Sequence, residues 1–160
     1  MQVIFPNFDY VGRPQPSLGL DAKFSVQYTT LIALLDGEIT VDTFTNERLS
    51  APDVKAMLPK VEFLVDESIP FDKLKMHVIV NIWMKDGRLL SKKVDKLIGW
   101  PGEYGKPLTR EQRLKKFFAC ADRVIEEKAA NRMVELIERL ETLPDVTELM
   151  DIARCDNSRS

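Results

Sequence analysis

Three residues near the start of the chain have types and spacing that suit the binding of a small anion. Tyr10, Arg13 and Lys23 place a phenol and two cations around a loop that Pro14 and Pro16 stiffen. Arginine offers a planar fork to a carboxylate and lysine a point charge, while tyrosine can donate a hydrogen bond or a proton if nearby cations raise its acidity. The competing interpretation is that these charges are only solvated. We take Tyr10 as the candidate catalytic residue and Arg13 and Lys23 as the candidate substrate-binding residues.

Other catalytic and metal-binding patterns are missing from the sequence. The single histidine, His77, has no second histidine to complete a metal site or a dyad, so a structural role is the better interpretation. There is no Gly-x-Ser-x-Gly elbow, no Cys-His pairing and no glycine-rich phosphate loop. Cys120 and Cys155 lack metal-ligand spacing and are expected to be free thiols. We therefore expect neither a metal nor another cofactor.

The composition is that of an ordinary globular domain. A chain of 160 residues with 44% hydrophobic composition can bury a core. Its 23 basic residues are scattered among 25 acidic ones, with a net charge of -2, and form no stripe for nucleic acid. The longest apolar run, inside residues 29–35, is far shorter than the ~20 residues that a bilayer crossing needs, and no leader precedes it. We expect a cytoplasmic protein without nucleic-acid or membrane partners.

A short strand and an apolar helix are the first elements that must position the candidate residues. Residues 2–5 alternate as a strand and begin without any lead-in, which suggests a fragment of a larger fold. Asp21 is the expected N-cap of the helix, and Gly37 is its expected left-handed C-cap. Apolar residues at three-and-four spacing form one face of this helix: Phe24, Tyr28, Leu31, Ile32 and Leu35. Three further apolar residues widen that face, so we expect the helix to be buried.

A small antiparallel sheet is expected after the apolar helix. Residues 61–65 have the alternation of a strand, and residues 74–84 have it more strongly. Asp86 and Gly87 predict a type I′ hairpin turn that returns the chain along residues 88–96. A sheet of at least three strands follows from these signals.

Capping boxes mark the starts of further helices. Ser50 and Asp53 predict a box before a short helix, and Thr109 and Gln112 predict a second box before a long amphipathic one. Residues 99–107 hold three glycines and two prolines in nine residues, which predicts a loop or a boundary. Everything after that loop has a helical pattern.

These elements predict an α+β fold class, with a buried helix packed on a small antiparallel sheet and a helical segment after it. We assign residues 1–105 to the α+β part and residues 106–155 to the C-terminal helices. Residues 156–160 have the composition of a disordered tail.

Five blocks of the sequence, in order, match one known family. They are DYVGRPQP at residues 9–16, DAKFSVQYTTLIALLDGEIT at 21–40, SAPDVKAMLPKVEF at 50–63, WMKDGR at 83–88 and GKPLTREQRLKKFFACA at 105–121. On these blocks the chain resembles the MmgE/PrpD family of 2-methylcitrate dehydratases, cis-aconitate decarboxylases and iminodisuccinate epimerases. The resemblance implies a C-terminal portion of such an enzyme. It would hold part of the smaller α+β lid domain and helices that pack on a large helical domain supplied by earlier sequence.

The resemblance also implies a chemistry. Family members remove a proton next to a carboxylate, with loss of water or carbon dioxide from a small tricarboxylic acid and without a metal. Their acid/base histidines and lysines come mainly from the helical domain and the start of the lid, so this chain alone is expected to be inactive. By the same resemblance Tyr10 matches a tyrosine of the substrate cleft, and Arg13 and Lys23 match positions that are usually basic. Such cations would stabilise enolate-like charge in the transition state.

Two functions of different classes follow as hypotheses. The first is the lid-bearing piece of a metal-independent lyase or isomerase, with a small carboxylate as substrate and the missing N-terminal helical domain as partner. The second is a non-enzymatic binding or dimerisation module derived from this family, a homodimer that uses surface left bare by the lost domain. If apolar side chains of the C-terminal helices cannot all be buried within one chain, they predict a large apolar patch or oligomerisation. The residues to examine are Phe117, Phe118, Leu136 and Leu140.

Overall fold

The chain divides into two compact units, Met1–Pro107 and Leu108–Ser160, and each is considered by itself. The structure, a computed structural model, describes residues 1–6, 12–72, 74–100 and 102–154. The predicted disordered tail at residues 156–160 lies outside these described residues. In the part of the chain that is described, no helix is both long enough and apolar enough to cross a membrane.

A four-stranded mixed sheet is the scaffold of the first unit. Its strands are β1 (Gln2–Phe5), β2 (Glu62–Val65), β3 (Val78–Trp83) and β4 (Leu89–Val94), in the order β2-β1-β3-β4. The β1–β3 and β3–β4 pairs are antiparallel, whereas β1 pairs with β2 in parallel. The α+β class is confirmed, and the antiparallel expectation is wrong for the β1–β2 pair. A parallel pair needs a long crossover, and the helical residues between β1 and β2 supply one.

The hairpin predicted at Asp86 and Gly87 joins β3 to β4. The Gly87 N–H donates to the Met84 carbonyl at 3.1 Å, and the Met84 N–H donates to the Arg88 carbonyl at 2.9 Å. Gly87 has a φ of 85°, and no other residue type among those described has a positive φ. A type I′ turn needs positive φ at both central residues, so the predicted turn type is wrong. The hydrogen bonds instead fit a three-residue loop that ends on a left-handed glycine.

Strand β3 is shorter than the predicted residues 74–84. The Asp72 carboxylate accepts a hydrogen bond from the Leu74 N–H at 2.8 Å, and the Asp72 carbonyl accepts one from the Met76 N–H at 2.7 Å. A turn held by an aspartate side chain in this way takes the following backbone groups away from the sheet. The ladder therefore begins at Val78.

The described part of the first unit contains four short or medium helices. They are α1 (Gly19–Ala22), α2 (Val26–Asp36), α3 (Asn46–Leu49) and α4 (Pro52–Met57), with 3-10 turns at Asp42–Phe44 and Leu58–Lys60. Of these helices, α2 packs on the sheet. The predicted box of Ser50 and Asp53 is wrong, because the N-cap of α4 is Ala51 and no side chain caps it. Proline at the first helical position lacks one of the N–H groups that stay unpaired at the start of a helix, and its fixed φ favours the helix without a side-chain cap.

Helix α2 begins later than predicted and ends as predicted. Its N-cap is Ser25, whose hydroxyl accepts a hydrogen bond from the Tyr28 N–H at 3.1 Å. The expectation that Asp21 caps this helix is therefore wrong, and Asp21 lies inside α1. Gly37 is confirmed as the left-handed C-cap, with a φ of 80°.

The core of the first unit lies where α2 packs on β1 and β2. Its buried residues are Val3, Ala22, Tyr28, Leu31, Ile32, Leu49, Val54 and Val61. The other side of α2 is open, since Leu34 is 50% and Leu35 38% exposed. The expectation that the whole helix is buried is therefore wrong, because packing within this unit covers one of its sides.

Arg48 links the ends of three helices. Its guanidinium donates to both oxygens of Asp36, at 3.0 and 2.7 Å, and to both oxygens of Asp53, at 2.8 and 3.0 Å. Asp36 ends α2, Arg48 lies in α3 and Asp53 lies in the first turn of α4. The hydrogen bonds from Arg48 lower the pKa of both carboxyl groups. The Arg48 side chain is only 22% exposed, so solvent screens this network less than an open surface pair.

Residues 99–107, predicted as an irregular loop, contain two short regular elements. Strand β5 (Leu97–Ile98) pairs in parallel with β6 (Gly105–Lys106), and a 3-10 turn at Gly102–Tyr104 precedes β6. Two-residue strands have too little alternation to be seen in a sequence, which is why the pattern predicted a loop.

The second unit is helical, as predicted. Its described helices are α5 (Arg110–Ala121), α6 (Glu127–Glu138) and α7 (Thr147–Ala153). The capping box of Thr109 and Gln112 is confirmed, with hydrogen bonds of 3.2 and 3.0 Å. Ion pairs of 2.6 Å connect Arg110 with Glu138 and Arg132 with Glu148.

The four apolar residues singled out in the second unit differ in exposure. Leu136 is buried, Phe117 and Phe118 are half-buried, and Leu140 is 48% exposed. The rings of Phe117 and Phe118 contact each other edge to face, with centroids 5.3 Å apart. This unit therefore covers part of the predicted apolar face.

Replacing Arg48 by methionine should lower the free energy of unfolding by about 1–2 kcal/mol, because two carboxylates lose a hydrogen-bonded cation in a partly solvated site. The loss should be smaller at low pH. Because folding lowers the pKa of Asp36 and Asp53, their stabilisation is present above the unfolded-state value of about 4 and disappears as the pH falls through the folded pKa. Urea denaturation followed by circular dichroism at about pH 7 and about pH 3 measures both effects.

The matched control for this variant is Arg88→Met. Arg88 pairs with Asp86 at 2.7 Å, but its side chain is 68% exposed. Its removal should leave the stability nearly unchanged at either pH. Equal losses for the two variants would contradict the assignment of Arg48 as the link between the helices.

Candidate functional site

The two predicted substrate-binding cations lie around helix α1. Arg13 lies in residues 12–17, which lead into α1, and Lys23 directly follows the helix. Arg13 contacts Asp21 and Phe24, whereas Lys23 lies over the ring of Phe44. Both cations therefore belong to the segment around α1, and each contacts a different aromatic ring. Tyr10, the predicted catalytic residue, lies outside the described residues.

Arg13 already holds a carboxylate. Its Nη1 lies 3.0 Å from Oδ1 of Asp21, and its guanidinium carbon lies 5.7 Å from the centroid of the Phe24 ring. The second oxygen of Asp21 accepts a hydrogen bond from the Ser17 hydroxyl at 3.0 Å. The Arg13 side chain is 52% exposed, and ion pairs in such positions contribute little to stability. A carboxylate ligand could therefore replace Asp21 on this guanidinium at small cost.

A buried hydroxyl holds the backbone of the same loop. The Ser25 Oγ donates to the carbonyl oxygen of Arg13 at 2.5 Å and accepts from the Tyr28 N–H at 3.1 Å. Ser25 is 1% exposed. The N-cap of α2 and the loop that presents Arg13 therefore share one side chain.

Lys23 lies over an aromatic ring. Its Nζ is 5.8 Å from the centroid of Phe44, close enough for a cation–π contact. The Phe44 ring in turn packs against Tyr28, with centroids 6.3 Å apart. Among the described residues Lys23 forms no ion pair, so its charge is open to an anion from solution.

Tyr28 contacts two residues that hold the candidate cations: Ser25, bonded to the Arg13 carbonyl, and Phe44, whose ring lies next to Lys23. Its side chain is fully buried, and its hydroxyl donates to the Thr43 carbonyl at 2.5 Å. Burial raises the pKa of Tyr28, which keeps the phenol protonated and able to donate. This tyrosine was predicted as a core residue and has that role.

The surface beside Arg13 is an open depression. The described residues that line it are Gly12, Arg13, Pro14, Gln15, Pro16 and Asp21. Of the two candidate cations, Arg13 lines this depression and Lys23 does not. A cation at such a place can bind an anion and balance developing negative charge. No group of three or more histidine, cysteine, aspartate or glutamate side chains that could hold a metal occurs in the described ranges. His77 is not among the residues that line this depression. Its Nδ1 lies 3.1 Å from the Lys75 carbonyl oxygen.

Sequence reasoning missed Ser25 as a residue of this site. A serine three residues before Tyr28, at the start of an apolar helix, is itself an N-cap signal and could have been preferred to Asp21. Its hydrogen bond to Arg13 has no local signal, because the partner lies 12 residues earlier in the chain.

A family model described as the MmgE/PrpD C-terminal domain matches residues 3–142. The chain belongs to this family. The match covers the mixed sheet, the region of Arg13 and Lys23, and helices α5 and α6 of the second unit.

Curated relatives of this MmgE/PrpD chain include cis-aconitate decarboxylases. The mouse protein is 33% identical over 146 residues, which is 90% of this chain and 29% of the relative. The human protein is 29% identical over 150 residues, with 93% and 30% covered, and one from Aspergillus terreus is 23% identical over 149 residues, with 91% and 30% covered. The chain thus spans about 30% of the length of the curated relatives it matches.

Replacing Gly19 by alanine should disrupt the support of Lys23. A Cβ at this position would lie 1.9 Å from the Phe44 carbonyl oxygen, so α1 and the 3-10 turn would have to move apart. The Gly19 N–H would then also lose its 2.9 Å hydrogen bond to Asn46. We expect a loss of about 2–3 kcal/mol in the free energy of unfolding, measured by urea denaturation.

Gly37→Ala provides the comparison for that substitution. Nothing lies within 4 Å of a Cβ at Gly37, but its φ is 80°. Its replacement should therefore carry only the backbone cost of a left-handed alanine, about 1 kcal/mol. A smaller loss for Gly19→Ala than for Gly37→Ala would contradict the close approach of α1 to Phe44.

Proposed function

We propose that this chain is the lid-type C-terminal portion of a metal-independent lyase or isomerase that acts on small di- or tricarboxylic acids. The observation that carries the proposal is the pair of cations around α1, one held by an exchangeable carboxylate and the other without an ion pair among the described residues. Arg13 and Lys23 would bind carboxylates of the substrate, and Tyr10 would face it as a hydrogen-bond or proton donor.

We propose cis-aconitate as the first substrate and decarboxylation as the first reaction to test, because the curated relatives reported above carry that name. When carbon dioxide leaves such an acid, a carbon–carbon bond breaks and its electron pair stays on the substrate. That charge must be stabilised until a proton replaces the lost group. A guanidinium and an ammonium near the remaining carboxylates lower the energy of this charged state.

Dehydration and epimerisation make the same demand on the cations. Each begins with removal of a proton next to a carboxylate, which also leaves enolate-like charge. The proton-transfer groups are proposed to come from an N-terminal helical domain, as in the family resemblance. The chain alone should then bind a tricarboxylate without converting it.

A fusion protein tests the proposed function. In it, this chain replaces the 146-residue matching segment of the mouse relative. Release of carbon dioxide from cis-aconitate by the fusion, and none by the chain alone, would support the proposal. A folded fusion that leaves cis-aconitate and 2-methylcitrate unchanged would overturn it.

A second function, a homodimeric binding module, is favoured by apolar side chains at the β3–β4 hairpin. Trp83 and Leu89, each 51% exposed, are cross-strand partners and so lie on the same face of the sheet. Exposed apolar groups clustered in this way often mark an interface. Light scattering on the chain, with and without a tricarboxylate, separates the two proposals, since the module requires a dimer that forms without the ligand.

Arg13→Gln and Lys23→Gln should each weaken substrate binding by the fusion about tenfold, because each removes a charge-assisted contact to a carboxylate. The effect should appear mainly in KM when the carboxylate is bound equally in the ground and transition states, and in kcat when the contact strengthens in the transition state. Steady-state kinetics with cis-aconitate separates the two.

Arg88→Gln and Lys55→Gln are the controls for these substitutions. Both residues are exposed and lie elsewhere in the first unit, in the hairpin and in α4. They remove the same charges, so a general effect of net charge would appear in all four variants. Equal losses in the controls would exclude a specific role for Arg13 and Lys23.

A further inference from the structure

Arg13 needs a fixed backbone if its guanidinium is to bind a carboxylate at a defined place. Within the described chain no backbone–backbone hydrogen bond holds residues 12–17. The two prolines of this loop have no N–H to donate. The loop is attached instead by the Ser25 hydroxyl, at the Arg13 carbonyl, and by the Asp21 carboxylate, at the side chains of Arg13 and Ser17.

A bound carboxylate would break the Asp21 contact with Arg13 and leave the Ser25 contact in place. Asp21 holds Arg13 through the same guanidinium that a carboxylate ligand would take, so binding removes that contact. The Ser25 bond goes to the main chain and is unaffected by the exchange. Ser25 is 1% exposed, whereas the Asp21 side chain is 35% exposed, so the serine contact is also the better protected from water.

We propose that Ser25 is a positioning residue for carboxylate binding, which holds the Arg13 loop in place once the ligand has displaced Asp21. The inference rests on the proposed function, because it assigns Arg13 to the substrate. Through its second hydrogen bond, from the Tyr28 N–H, Ser25 ties the loop to the buried core. An arginine that is held before binding loses less conformational freedom when it binds.

The test measures how tightly the chain binds tricarballylate, the saturated analogue of aconitate, by nuclear magnetic resonance titration. Ser25→Ala should raise the dissociation constant about three- to tenfold, the range expected from freeing one loop and its side chain. It should also lower the 15N order parameter of Arg13, because the loop loses its buried anchor.

Thr45→Ala is the matched control. Thr45 is also a hydroxyl N-cap of the first unit. Its hydroxyl accepts from the Arg48 N–H at 3.1 Å and donates to the Asp42 carbonyl, so its hydrogen bonds do not involve residues 12–17. Loss of this cap should destabilise the unit to a similar degree without changing ligand affinity. If Ser25→Ala prevents folding, Ser25→Gly replaces it, since glycine is tolerated better than alanine at an N-cap.

A double-mutant cycle distinguishes positioning from general destabilisation. If Ser25 acts through Arg13, Ser25→Ala should weaken binding in the wild-type and Lys23→Gln backgrounds and have no further effect in the Arg13→Gln background. An equal effect in the Arg13→Gln background, or an unchanged dissociation constant in the wild type, would overturn the inference. If the wild-type chain bound no tricarboxylate, the proposed function would fail, while the order parameter of Arg13 would still decide whether Ser25 holds the loop.

Discussion

The buried hydrogen bond between the Tyr28 hydroxyl and the Thr43 carbonyl is the constraint on which the first unit depends. A phenol enclosed in a core must find an acceptor, because an unpaired hydroxyl there is costly. This bond fixes the 3-10 turn against α2 and brings Phe44, the next residue, onto the tyrosine ring. The position of the Phe44 ring, which Lys23 contacts, is therefore determined by packing against the core. The backbone N–H of Tyr28 also donates to the Ser25 hydroxyl, which in turn donates to the Arg13 carbonyl.

Two arginines of this unit show how burial separates a structural role from the binding role proposed for Arg13. Arg48 is 22% exposed and holds two carboxylates with four hydrogen bonds, so only one of its five N–H donors is left. Arg13 is 52% exposed and holds one carboxylate through a single nitrogen. The first arrangement stabilises the fold, and the second leaves most of the guanidinium donors available. The same residue type thus serves different ends according to its neighbours.

Several local features of the fold could be predicted from sequence, although the turn type at Gly87 and the capping box of Ser50 and Asp53 were wrong. Features that depend on distant partners could not be predicted. The Gly37 cap, the hairpin at Gly87 and the capping box at Thr109 each lie within a few residues, where sequence spacing fixes the geometry. Asp21 and Ser25 both fit an N-cap, and the choice was made by tertiary contacts, since Arg13 and Ser17 occupy the aspartate.

The direction of the β1–β2 pair and the role of Ser25 had no sequence signal for the same reason. Strand pairing depends on where the crossover helices return the chain, and the residues paired in β1 and β2 are 60 apart. The Ser25 bond joins a hydroxyl to a main-chain carbonyl, and a carbonyl carries no residue identity. Arg13 and Lys23 could be named from their charges, while the groups that hold them could be found only in three dimensions.

The exposure of Arg13 and Lys23 bears on how much catalysis these cations could supply. Two unit charges at 4 Å interact by about 1 kcal/mol in water and about 4 kcal/mol at an effective dielectric constant of about 20, so a solvated Arg13 or Lys23 stabilises little charge. The interaction energy between these cations and a negative charge rises several-fold when another surface covers them and removes water. Under the proposed function, that surface would correspond to the part of the relatives that this chain does not span, and proton transfer would be divided from charge stabilisation between the two parts. A loop that Ser25 ties to the core of its own unit suits such a division, because Arg13 is then in position before the covering surface arrives.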